Sequence, residues 1–138
     1  MATTATPPEH ASVRMIVPFS ASSVPVARQQ LKEWMADHGS SAEHIEDARL
    51  IVSELVANAI RHAQPLPDGN LVVSWSAQGR ELDVSVTDGG GPTRPRKVKA
   101  STSALSGRGM AIIDTLAVSW WAEWTRSKST VHARLSMV

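Results

Sequence analysis

At 138 residues the chain has the length of one domain with one core, and its 42% hydrophobic and 20% charged residues are the proportions of an ordinary globular protein. The absence of cysteine excludes a disulfide framework and a thiolate metal site, in keeping with a reducing cytoplasm. The net charge of +1 conceals an acidic excess in residues 1–70, five Lys/Arg against eight Asp/Glu, and a basic excess in 71–138, nine against five.

The first residues, "MATTATPPEH", lack the basic start and apolar stretch of a secretion signal and read as a disordered lead-in over 1–11. No later run approaches the roughly 18 apolar residues of a membrane span. "SVRMIVPF" (12–19) alternates as a strand with Val13, Met15 and Val17 on one face. Ser22 or Ser23 is placed to cap a helix that carries Pro25 in its first turn and stops at Gly39. "SSAEHIEDARLIVSELVANAIRHA" follows, capped by Ser40 or Ser41. Its 3.6-residue apolar stripe is Ile45, Ala48, Ile51, Val52, Leu55, Val56, Ala59 and Ile60.

"QPLPDGN" turns the chain into two strands, "LVVSWSA" (71–77) and "ELDVSVTD" (81–88), joined through a glycine-bearing hairpin. Gly89 to about Ser106 has no periodicity and is long for a connection in a compact domain. It contains "RPRKVK" (94–99), where the basic excess concentrates. With one phenylalanine, no tyrosine and no other basic face, this run reads as a solvated loop or one facing phosphates rather than a nucleic-acid surface. "GRGMAIIDTLA" resumes a helix, and "VSWWAEWT" and "STVHARLSM" close with a second hairpin. The expected class is α+β, helices layered on one face of a mixed, mostly antiparallel sheet. The five tryptophans read as packing residues, with Trp120 and Trp121 facing opposite sides of a strand.

Three patches carry chemistry. Glu54 and Asn58 lie four apart on one helix face, at the edge of the apolar stripe. A carboxamide oxygen beside a carboxylate suits a partly hydrated Mg²⁺, and the carboxylate can take a proton from an attacking hydroxyl. Read alone, the pair serves equally as solvent-facing polar residues. "TDGGGP" (87–92) directly follows a strand. There Asp88 is positioned to accept from a purine amino group, although an Asx turn accounts for it as well. "SGRGMAI" (106–112) opens a helix with two glycines, a phosphate-favouring arrangement that satisfies neither the dinucleotide fingerprint nor the P-loop. The scattered histidines make a zinc site improbable, and no serine sits in a nucleophile elbow.

In this order the patches resemble the ATP-binding (Bergerat) superfamily of DNA gyrase, Hsp90, histidine kinases and MutL, and among its members the stand-alone anti-sigma-factor serine/threonine kinases. The first box, E-x-x-x-N-A-x-x-H, is met at Glu54, Asn58, Ala59 and His62. The second, D-x-G-x-G, is met at Asp88 and Gly90, with Pro92 in place of the last glycine and Gly91 available for the flexible role. The third, G-x-G-[LM], is met at Gly107, Gly109 and Met110. The likeness runs from about residue 12 to the end, as one ATPase domain over 12–138.

The resemblance implies ATP and Mg²⁺ as cofactors. Glu54 would be the general base, Asn58 the Mg²⁺ ligand and Asp88 the holder of the adenine amino group. Gly90 would make room for adenine, with Thr130 in the adenine-binding set. A lid would span 92–106. Gly107 and Gly109 would present amides to the phosphates, with Arg108 adding charge and His62 in ligand contact or merely favouring the helix dipole. It also implies a cytoplasmic protein whose partners are a sigma factor and an anti-anti-sigma factor. Dimerisation is common among such relatives, with the first strand or helix as candidate interface. The alternative is an ATP-gated binding module with little turnover. A sensor histidine kinase with its own phosphoacceptor helices is not expected, nor a nucleic-acid or membrane role.

Overall fold

In the computed structural model the described residues are 12–91, 98–99 and 107–137, with backbone alone at 98–99 and 107–109. The expected lead-in over 1–11, Pro92 and most of the expected lid lie outside them. Six strands form one sheet in the order β1-β2-β3-β6-β5-β4, and every pairing is antiparallel. The strands are β1 (Ser12–Pro18), β2 (Asn70–Gln78), β3 (Glu81–Asp88), β4 (Val98–Lys99), β5 (Ser119–Trp124) and β6 (Ser129–Ser136). Among the described residues the helices α1 (Ser23–Asp37), α2 (Ala42–His62) and α3 (Gly107–Leu116) pack on it in one layer. The expected two-layer α+β architecture is observed.

The helix ends follow from side chains and glycines. Ser22 occupies the cap of α1 but makes no side-chain cap bond. The buried Ser23 hydroxyl instead donates to the Pro18 carbonyl at 2.6 Å, fastening the helix start to the end of β1. Gly39, at φ +81°, closes α1 with a paired return, its own N–H reaching Ala36 O and that of Ser40 reaching Met35 O. Ser41 caps α2 by accepting from the His44 N–H, and Arg61 and His62 sit in the last turn, where positive charge meets the negative helix end.

The apolar stripe of α2 meets the inward face of the sheet. Leu31 and Met35 of α1, Ile51 and Leu55 of α2, and Leu71, Trp75, Leu82 and Leu135 of the sheet are closed to solvent within one cluster. Strand alternation puts Val84 and Val86 inside with them and turns Asp83 and Ser85 to the other face. Trp120 is buried, donating to Asp114 of α3 at 2.7 Å. Its neighbour Trp121 stacks on His132 on the opposite face.

One element departs from the expectation of an aperiodic segment over 89–106. Val98 and Lys99 pair with Ala122 and Trp121 and extend the sheet by a sixth, two-residue strand. Two residues carry no readable alternation, so only the edge of β5 makes them a strand.

Candidate nucleotide site

β3 ends where β6 begins, Asp88 opposite Ser129, and the chain leaving α2 bonds to the turn that follows. Asp88, the last residue of β3, is buried at 3% exposure. Its Oδ1 accepts the Gly90 N–H at 2.7 Å, which forms an Asx turn. Burial pushes the carboxyl up from 3.8 to about 6, because desolvation outweighs the stabilising Gly90 hydrogen bond. Gly90 holds φ +86°, a conformation that side chains rarely adopt. Gly91 is exposed and has no positive φ.

On α2, Glu54 and Asn58 are both half-buried at the edge of the stripe. The Asn58 Oδ1 atom is closed to solvent and has no hydrogen-bond partner among the described residues. A buried acceptor left unmade costs on the order of 1–3 kcal/mol, so this oxygen is a debt against the ligand-free fold. Among the described residues no cluster of three or more His, Asp or Glu could hold a metal. A lone carboxamide oxygen still fits Mg²⁺, which keeps waters and phosphate oxygens for its remaining positions.

The chain leaving α2 is joined directly to the turn after β3. The Gly89 N–H donates to Gln64 O at 2.8 Å, and the Gln64 N–H donates to Gly90 O at 3.0 Å. His62 is exposed, and only its carbonyl approaches this turn, 3.8 Å from where a side chain at Gly91 would begin. α3 packs against α2 and begins at Gly107, with Gly109 in its first turn. Met110 is wholly buried in the core cluster, so its side chain anchors α3. The Arg108 side chain lies outside the described residues.

Thr130 lies on β6 opposite the end of β3. It is the cross-strand partner of Thr87, and their hydroxyls lie 2.9 Å apart on the sheet face that Asp88 does not share. The partner of Asp88 is Ser129, which is 7% exposed and points to the same side. Strand register decides this, and the Thr130 match alone did not contain it. A groove of about 300 Å³ lined by Arg14, Ser74, Asp83 and His132 lies on the far face, apart from Asp88 and Asn58.

The sequence pattern of the histidine kinase-like ATPase domain matches residues 17–137. Serine-protein kinase RsbW of Listeria innocua serovar 6a is 28% identical over 119 residues, covering 78% of this chain and 76% of that protein. RsbW of Listeria monocytogenes serotype 4a matches over the same share at the same identity. Among solved structures, the RsbU and RsbW domains of Rv1364c from Mycobacterium tuberculosis share the fold, with a TM-score of 0.72 at 21% identity. That match takes in 92% of this chain but 32% of the larger one. With its sheet order, its helix layer and this match over nearly all the described residues, the chain belongs to the histidine kinase-like ATPase domain family, related to the RsbW kinases.

Proposed function

We propose that this chain binds ATP with Mg²⁺ and transfers the γ-phosphate to a serine or threonine of a protein partner, as an anti-sigma-type regulatory kinase. The observation that carries the reading is the buried Asn58 Oδ1, an acceptor that nothing among the described residues satisfies. The desolvated carboxyl of Asp88 supports it, because an exocyclic amino group would repay its burial by donating to it.

Asp88 receives the adenine amino group, Gly90 leaves room for the ring, and Ser129 takes the hydroxyl role beside Asp88 that was expected of Thr130. Gly107 and Gly109 leave the first amides of α3 open to phosphate oxygens. Asn58 supplies one protein oxygen to Mg²⁺, whose charge when bound offsets that of the phosphates. Glu54, one helical turn before Asn58, accepts the proton of the partner's hydroxyl as that oxygen bonds to the γ-phosphorus. The bond from the γ-phosphorus to the bridging oxygen breaks, and ADP leaves with the electron pair. By relation to RsbW, the partners are a sigma factor, held, and an anti-anti-sigma factor, phosphorylated.

Titration with ATP and GTP, each with and without Mg²⁺, tests the site, and adenine-selective, Mg²⁺-assisted binding is expected. Mass-spectrometric detection of phosphate on an anti-anti-sigma substrate tests the transfer. Tight ATP binding with no transfer to any such partner would replace the kinase reading with that of an ATP-gated binding module.

A further inference from the structure

The least roomy position in the site is one that the D-x-G-x-G pattern leaves free. A Cβ on Gly89 would lie 2.1 Å from the Pro65 carbonyl oxygen, 2.8 Å from its carbon and 3.1 Å from Gln64 O. Backbone lies on the far side of this contact, so no flexible side chain can yield. Gly89 is not left-handed, and space alone demands glycine there. Gly90 is the converse case, strained in φ with its nearest contact at 3.8 Å. The two hydrogen bonds between Gln64 and residues 89 and 90 flank the contact, and the ring of Pro65 fixes φ there and so restrains its carbonyl.

Each end of this contact continues into the site. Upstream, α2 ends at His62, and its extended cap residue Ala63 still bonds through its N–H to Ala59 O, so only Gln64 separates the capped end of the helix that carries Asn58 from Pro65. Downstream, the Gly90 N–H bonds to Asp88 Oδ1. A run of hydrogen bonds therefore leads from Ala59, next to Asn58, through Ala63, Gln64 and Gly90 to the carboxylate of Asp88.

We infer that the Gly89–Pro65 contact is a clamp that fixes the spacing between the two ends of the site, making Gly89 a positioning residue for a ligand that must touch both Asp88 and Asn58. The inference rests on the nucleotide reading above. A clamp of this kind acts on ligands that bridge the two ends and is indifferent to ligands held at one end. ATP with Mg²⁺ spans both, whereas adenosine reaches Asp88 alone.

The test is calorimetric titration of the full chain with ATP–Mg²⁺ and with adenosine, on wild type, Gly89→Ala and Pro65→Gly. Gly89→Ala should lose about tenfold or more in ATP affinity, while adenosine changes by less than about twofold, because only the linkage between subsites is loosened. Pro65→Gly introduces no clash and frees the carbonyl. It should show the same bias with a smaller loss, and it decides the matter if Gly89→Ala does not fold. The Gly89→Ala/Pro65→Gly double variant should recover part of the ATP affinity. Equal weakening of both ligands, or no weakening of either, overturns the clamp while leaving the nucleotide site standing. Failure of the wild type to bind ATP overturns the nucleotide reading and the clamp with it.

Discussion

Asp83 and Asp88 lie on the same strand but face opposite sides of the sheet, and their surroundings differ accordingly. Asp83, on the open face, has the His132 ring at 3.3 Å and the Arg134 guanidinium at 3.5 Å. His132 in turn lies 3.8 Å from Glu123 and stacks on Trp121, over which Arg134 also sits. Asp88, on the helix-covered face, sits where charge is expensive and has one backbone donor, that of Gly90. On the open face the charged groups Asp83, His132, Glu123 and Arg134 lie against one another. The covered face holds two acceptors, Asn58 Oδ1 and the Asp88 carboxyl, whose burial the fold alone does not repay. Where burial is greatest and internal satisfaction least, an external partner is the physical explanation.

The largest expected effect lies on the covered face. Glu54→Gln should slow phosphoryl transfer by about 10²- to 10⁴-fold while ATP still binds, measured by single-turnover phosphorylation beside equilibrium titration. Asp88→Asn should lower ATP affinity by about 10- to 100-fold and shrink the preference for ATP over GTP, since an amide can donate to the guanine carbonyl. The same change should stabilise the ligand-free protein at pH 7 by on the order of 2 kcal/mol in denaturant unfolding, because no buried carboxylate is left. The sign follows from the raised carboxyl. Its contribution to stability is fully present below 3.8 and lost as pH rises through about 6, so the gain from Asp88→Asn should vanish at low pH.

A gentler way to sharpen the contrast is pH. ATP affinity should be level above pH 7 and fall as pH drops below about 6, where Asp88 takes a proton and ceases to be a pure acceptor. Asp88→Asn, titrated alongside, carries only the protonation of the nucleotide itself, and the difference between the two curves isolates the side chain. The smallest effect belongs to the open face. Asp83→Asn should leave ATP binding unchanged and cost under about 1 kcal/mol, as partly exposed ion pairs do. A loss of nucleotide binding in that variant would break the division between the faces.

Much of the molecule was legible before folding, where a signal was local. The stripe from Ile45 to Ala59, the hairpin at Gly79 and the helix opening at Gly107 all follow from periodicity and turn chemistry, and they lie where expected. The Glu54–Asn58 spacing placed both residues at the edge of the buried stripe, as found. What could not be read depends on pairing between distant segments. Ser129, not Thr130, faces Asp88 because β6 aligns with β3 in one register, and a shift of one residue would exchange them. β4 exists only against the edge of β5. Gly89 looks like a spacer until the chain leaving α2 arrives against it.

The hydrogen bond from Trp120 to Asp114 has a practical consequence. An indole with its N–H committed to α3 and its ring closed off from water is a spectroscopic antenna wired to the helix that begins at Gly107. Should that helix shift when a ligand arrives, the emission of Trp120 shifts with it, and stopped-flow fluorescence can time the event without any label.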